Sequence, residues 1–170
     1  MVELRLTTPA DMPALRELAI RTQVDTFGKD NTPENMQAFL DEAYSLSALT
    51  RELEEERSRN YLAFADGRLV GFMRLRVTTE VEDLLGPNTI ELQRLYVDTD
   101  SKGKGVGAAM MREALNHAHT EKFDWIWLGV WERNFAAQEF YYKWGFERFS
   151  QHVFQMGDDP QTDWLLKRRV

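Results

Sequence analysis

Residues Leu92 to Met111 read LQRLYVDTDSKGKGVGAAMM. An apolar stretch ends at Val97, and polar residues run from Asp98 to Ser101. Gly103, Gly105 and Gly107 then stand at alternate positions, with Lys102 and Lys104 beside them, and an Ala/Met-rich segment follows. Glycine lets a ligand approach main-chain N–H groups with no side chain in the way. A helix beginning there adds partial positive charge to those groups, and the lysines add full charges. A phosphate or pyrophosphate suits such a loop; the alternative is a flexible polar loop ahead of a helix.

Two familiar glycine loops do not fit. A P-loop ends in Gly-Lys-Ser/Thr, which is absent here. A dinucleotide fingerprint spaces its glycines G-x-G-x-x-G, whereas Gly107 comes one residue early, and too little chain follows Glu132 to finish a doubly wound sheet. The preceding segment carries its own signal. Ile90 and Leu92 are apolar at even positions, Leu95 and Val97 at odd ones. That change of parity reads either as an inserted residue, a β-bulge near Gln93–Arg94, or as a strand buried on both faces.

Working outward, Leu4 and Leu6 alternate with polar residues as a short strand, and Asp11 to Thr26 has helical spacing. Pro33 to Arg57 reads as helix, interrupted around Ser45–Ser47. Tyr61–Ala65 and Leu69–Thr79 flank an Asp66-Gly67 hairpin turn, and Glu80–Asn88 is a loop. Thr89–Val97 is a strand, Lys104–Glu121 a helix, Trp125–Trp131 a strand and Asn134–Trp144 a helix stopped by Gly145. Phe149–Met156 and Thr162–Arg168 make a last hairpin about a Gly-Asp-Asp-Pro turn. The order argues one mixed α/β domain over residues 1–170.

Composition narrows the function classes. The chain has 170 residues, 43% of them hydrophobic, and no cysteine, which removes thiol nucleophiles and thiolate metal sites. A net charge of −7 argues against a general nucleic-acid binder. No apolar run suits a bilayer, and no signal pattern opens the chain, so no membrane partner and a cytoplasmic location are expected. His117, His119 and His152 lack zinc-type spacing, so no metal is expected and surface roles are assigned to them.

The run Lys102-Gly103-Lys104-Gly105-Val106-Gly107 resembles the pyrophosphate loop of the GCN5-related N-acetyltransferases (GNAT), although that family usually begins the loop with Arg or Gln. Asn134 through Phe140-Tyr141 to Gly145-Phe146 resembles the family's second signature. The resemblance implies a central, mostly antiparallel, twisted sheet of about seven strands splayed between the fourth and fifth, with about four flanking helices. It implies acetyl-CoA as cosubstrate and a small-molecule amine as acceptor, with no nucleic acid; a homodimer is left open. Lys102, Gly103, Lys104, Gly105, Val106 and Gly107 would hold the diphosphate. Leu95, Tyr96, Val97 and Asn134 would hold the pantetheine arm, and a backbone N–H of Tyr96 or Val97 would meet the oxyanion. Tyr141 would line the cofactor site and protonate or hydrogen-bond the leaving sulfur, with core packing as its alternative. Hydrogen bonding is favoured over early proton transfer because a phenol's pKa exceeds a thiol's. Glu91 would act as base or water-positioner, with an ordinary strand carboxylate as its alternative. Protein acetylation and non-catalytic CoA sensing stay open as other readings.

Other features read more plainly. Trp125, Trp127 and Trp131 share one strand face and suit core packing, with a substrate wall as the alternative, and Glu52 to Glu56 reads as a solvated helix end. By the family resemblance Glu34, Asp41 and Glu42 would lie on the variable substrate-facing segment and attract a polyamine; a plain exposed helix face is the alternative. The tail from Phe154 to Trp164, with Thr26 to Thr32 and Tyr44, resembles PaiA-type acetyltransferases, which are associated with spermidine and spermine.

Overall fold

The structure, a computed structural model, describes residues 1–170. Its strands are β1 (Val2–Leu6), β2 (Ser58–Ala65), β3 (Arg68–Arg76), β4 (Thr89–Val97), β5 (Trp125–Trp131), β6 (Glu147–Met156) and β7 (Asp159–Arg169). Its helices are α1 (Met12–Phe27), α2 (Pro33–Ala43), α3 (Leu46–Glu54), α4 (Glu82–Leu85), α5 (Val106–Thr120) and α6 (Phe135–Lys143). All seven strands join one sheet in the order β1-β2-β3-β4-β5-β7-β6. Only β4 and β5 run parallel; every other neighbouring pair is antiparallel.

Local chemistry sets these boundaries. Asp66 and Gly67 both take positive φ, 51° and 76°, which matches the twist of a two-residue hairpin. Ser45 breaks the second helical segment in two: its Oγ accepts the Ala48 N–H at 3.1 Å and caps α3. That break, and the single turn of α4 inside the Glu80–Asn88 loop, give six helices where about four were expected. The last turn is also tighter than expected, because Asp159 and Pro160 already pair with Met156 and Gln155.

Helices cover both faces of the sheet. On one, Val106, Met110, Met111, Ala114 and Ala118 of α5 pack on Ile90, Leu92, Ile126 and Leu128. On the other, Leu15, Leu18 and Ala19 of α1 join Met36 and Leu40 of α2 and Leu49 of α3 over Leu62 and Phe72. The tip of the β6–β7 hairpin is tied to the second layer: the Asp158 N–H donates to Asn35 Oδ1 (3.1 Å) and Gln161 Nε2 donates to Asn31 Oδ1 (2.6 Å).

β4 departs from regularity in two ways. Against β3, Arg74 faces Arg94 but Leu75 faces Leu92, so Gln93 is an inserted residue. This bulge accounts for the change of apolar parity and decides between the two readings of the strand. Against β5, pairing is confined to Thr89–Trp125, Ile90–Ile126 and Glu91–Trp127, after which the strands part. The bulge is pinned from below. Arg74, 2% exposed, donates to the Gln93 side chain and to Glu55 of the segment after α3, and Arg94 donates to Glu52. The acidic segment expected to be a solvated helix end therefore supplies the counter-charges for two arginines that burial would otherwise strand.

Gly71 brings α5 close to the β3–β4 pair. A Cβ there would lie 3.0 Å from the Tyr96 carbonyl oxygen, 3.1 Å from Met110 Cε and 3.2 Å from Val106 Cγ1. Without those contacts, Gly→Ala in a strand would stabilise by roughly 0.5–1 kcal/mol. We expect Gly71→Ala to destabilise instead, by about 1–3 kcal/mol, as read from urea unfolding; a stabilised variant would show that the approach is not tight.

Candidate active site

The parting of β4 and β5 opens a cleft of about 980 Å³ that reaches from the glycine loop to the β6–β7 hairpin. Its loop end is built on Asp98. This carboxylate is 4% exposed, and it accepts hydrogen bonds from Arg21 Nη2 (3.2 Å) and Arg68 Nη2 (2.8 Å). Burial pushes its pKa up, but the two guanidiniums prevail and hold it below the usual range. The carboxylate thus fixes the point where β4 becomes the loop.

Gly103 and Gly105 take φ of 76° and 84°, a left-handed backbone that disfavours any side chain. Gly105 is the N-cap of α5 and offers no side-chain cap. The first-turn amides of Val106, Gly107 and Ala108 therefore lack a partner from the helix or its cap, and carry its positive end. The loop residues divide in their placement. Lys102, Gly103, Gly105 and Gly107 line the cleft; Lys104 is exposed and does not. Val106 turns its side chain into the core at 1% exposure, so only its amide is available to a ligand. A Cβ on Gly107 would lie 3.5 Å from Phe140, so this glycine also lets α6 approach α5.

Leu95, Tyr96 and Val97 line the adjoining wall. The Asp98 N–H donates to the Val70 carbonyl at 2.8 Å. Amide direction alternates along a strand, so the Tyr96 N–H points to β3 and those of Leu95 and Val97 point into the cleft. Of the two amides expected to face an oxyanion, the register leaves Val97.

From α6, Tyr141 lines the same cleft, its ring 5.4 Å from Phe140 and 5.9 Å from Phe146. Burial pushes its phenol well above the usual tyrosine range. Asn134 lines the cleft and also caps α6, its Oδ1 accepting the Ala137 N–H at 3.2 Å. Gln138 escaped the sequence reading. It is buried and donates to the carbonyls of Trp131 (3.1 Å) and Glu132 (2.9 Å), tying α6 to the end of β5.

The other end of the cleft is charged. Glu91 sits at the last β4–β5 pair, 5% exposed, and accepts a hydrogen bond from Arg76 Nε at 2.5 Å. Burial raises its pKa above the usual carboxylate range, and Arg76 only partly opposes this. His152, assigned a surface role from spacing, lines the cleft instead. Its Nδ1 is 2.5 Å from Glu80 Oε1 and its Nε2 3.4 Å from Asp163 Oδ2. Its hydrogen bonds to Asp163 and Glu80 outweigh the effect of burial and lift its pKa to about 9. No local pattern marks this group, because its partners lie 72 and 11 residues away. The tryptophans divide between the two readings: Trp131 lines the cleft, 5.5 Å from Phe27, while Trp127 is buried in the core at 0% exposure. Glu34, Asp41 and Glu42 are exposed and outside the cleft.

Comparison with known proteins places this geometry. Residues 15–146 match the profile of the Acetyltransferase (GNAT) family. An uncharacterized N-acetyltransferase of Lactobacillus delbrueckii subsp. lactis is 36% identical over 94% of this chain and 92% of its own length. The spermidine N(1)-acetyltransferase of Thermoplasma acidophilum is 27% identical over 99% and 97%. Among solved structures, a PaiA N-acetyltransferase from Thermoplasma acidophilum in complex with coenzyme A superposes with a TM-score of 0.83 at 24% identity, covering 100% of this chain and 99% of that one. The chain belongs to the GNAT family, and it is an acyltransferase.

The raised pKa of His152 has a consequence for stability. Its folded pKa of about 9 lies above the unfolded value of 6.5, so the contribution of the charged ring is complete below pH 6.5 and is lost as pH rises through 9. We expect the melting-temperature difference between the wild type and His152→Gln to be largest near pH 6.5 and to shrink toward pH 9.5, as followed by thermal unfolding. A difference independent of pH would contradict the charged ring.

Proposed function

We propose that this protein transfers an acetyl group from acetyl-CoA to a primary amine of a small molecule, with a polyamine as the acceptor class, by direct attack on the thioester. The observation that carries the reading is the open β4 edge running between an uncapped helix N-terminus and a buried carboxylate. The fit to coenzyme A rests on these features. The first-turn amides of α5 and Lys102 suit a diphosphate, and the inward amides of Leu95 and Val97 suit an amide-bearing arm added as an extra strand. The bound cosubstrate supplies an activated acyl group on sulfur.

The roles of the chain's own groups follow from their chemistry. An alkylammonium has a pKa near 10.4, so roughly one molecule in a thousand is neutral at pH 7. Glu91 is the base, taking the proton directly or through water. Its burial brings it closer to the working pH than an ordinary carboxylate, which improves general-base efficiency. The Val97 N–H donates to the thioester oxygen as negative charge develops there. Tyr141 Oη donates a hydrogen bond to the leaving sulfur. Its raised pKa makes it a better donor of a hydrogen bond than of a whole proton early in the reaction. Asn134 helps to hold the arm near the end of β5. The polyamine preference is supported by the spermidine acetyltransferase relative and by the carboxylates at the charged end of the cleft.

Thiol release from acetyl-CoA across an amine panel tests this reading; release with peptides alone, or with no acceptor, would overturn it. We expect Tyr141→Phe to lower kcat by at least about tenfold with little change in CoA affinity; equal rates would remove its role. Gly105→Ala imposes a left-handed penalty of about 1–2 kcal/mol, so we expect the CoA dissociation constant to rise roughly tenfold. An unchanged calorimetric titration would discredit the loop as the diphosphate site.

A further inference from the structure

We propose that His152 determines acceptor specificity: its imidazolium holds, between Glu80 and Asp163, the position taken by the second ammonium of a polyamine. This rests on the acceptor reading above and goes beyond it by assigning a subsite and its built-in competitor.

Three observations lead there. Both ring nitrogens of His152 face carboxylate oxygens, Nδ1 toward Glu80 and Nε2 toward Asp163. Ionised carboxylates only accept hydrogen bonds, so the ring satisfies both only when it carries both protons. A cation therefore already stands in this part of the cleft, and the protein supplies it. Second, Gly129 of β5 lies directly beneath. A Cβ there would be 3.4 Å from both Asp163 Oδ2 and His152 Nε2, so the absence of a side chain leaves the pair open to the space between the parted strands. Third, the surroundings suit an aliphatic chain bearing charges. Phe39 and Phe154, 5.5 Å apart, and Phe27 and Trp131 line this end of the cleft.

The exchange is chemically balanced. An ammonium is a compact donor of three hydrogen bonds and can bridge the same two carboxylates. On its arrival His152 gives its proton to solvent, so one cation replaces another. The groups facing His152 are Glu80 from the loop after β3, Asp163 from β7, and Glu91 of β4 with its partner Arg76 of β3. With the imidazole charged, these groups are largely neutralised and a second ammonium must displace a proton. As pH rises toward 9 the ring releases that proton unaided, and the two carboxylates are free for the ligand. Preference for a polyamine over a monoamine therefore rises with pH across this interval.

The test compares spermidine with n-butylamine, using the full chain saturated with CoA or acetyl-CoA. In wild type, proton NMR should show the His152 titration midpoint moving to lower pH with saturating spermidine and staying in place with n-butylamine. In His152→Gln, which keeps a polar side chain without the charge, the KM ratio of n-butylamine to spermidine at pH 7 should rise at least about threefold, the scale of a partly exposed charge pair. A midpoint unmoved by spermidine overturns the proposal whatever the kinetics, and so does a ratio that falls. Failure to release thiol with any amine would instead sink the acceptor reading, and the NMR midpoint would still decide whether a cation binds here.

Discussion

The inserted residue in β4 governs the rest of the molecule. A parallel β4–β5 pair continued along its full length would leave no free edge between them. Pairing holds for three residues and then fails just before Gln93, so the edge from Leu95 to Val97 turns its amides to open space. A bulge is a local defect unless something holds it, and here Arg74 and Arg94 do so, with charges balanced by Glu55 and Glu52. Buried guanidiniums are costly when unpaired, so the α3 segment and the bulge depend on each other. Removing either acidic partner would leave a cation beneath the strand that opens the cleft.

From that opening, the cleft's two ends follow different physics. The loop end works through backbone: positive-φ glycines, a helix start without a cap, and a strand edge. Exposed amides at a positive helix end favour a negatively charged group. The hairpin end works through ionisable side chains from β3, β4, β6 and β7 and the intervening loop, where carboxylate partners raise the pKa of His152 and burial raises that of Glu91. Asp98 marks the join at the loop end: two arginines from α1 and β3 hold it, and α5 begins a short turn later.

Much of this was legible in the sequence, for reasons that can be named. The bounds of β4 and β5 were readable because apolar runs end abruptly at Val97 and Trp131, and the parity change between Leu92 and Leu95 marked the bulge. The glycine spacing marked the loop, since few other demands require so much bare backbone. Of the charged end only Glu91 was legible, through the family resemblance; Arg76, Glu80, His152 and Asp163 were not. β7 lies between β5 and β6 in the sheet, an order that local patterning does not encode, and it brings Asp163 to His152 and both to Gly129. Lys102 and Lys104 look alike in sequence, yet only Lys102 lines the cleft. Glu52 and Glu55 read as solvent-facing because their partners sit on strands far along the chain.

The β6–β7 hairpin touches α2 through its tip, where Gly157 is so close that a Cβ would lie 2.5 Å from Asn35 Oδ1. It contributes His152, Phe154, Gln161 and Asp163 to the cleft and none of the glycine loop. Diversification within such a lineage therefore has a natural module: exchanging this one hairpin, with its footing on Asn31 and Asn35, would rewrite what enters from that side while the glycine loop is inherited intact.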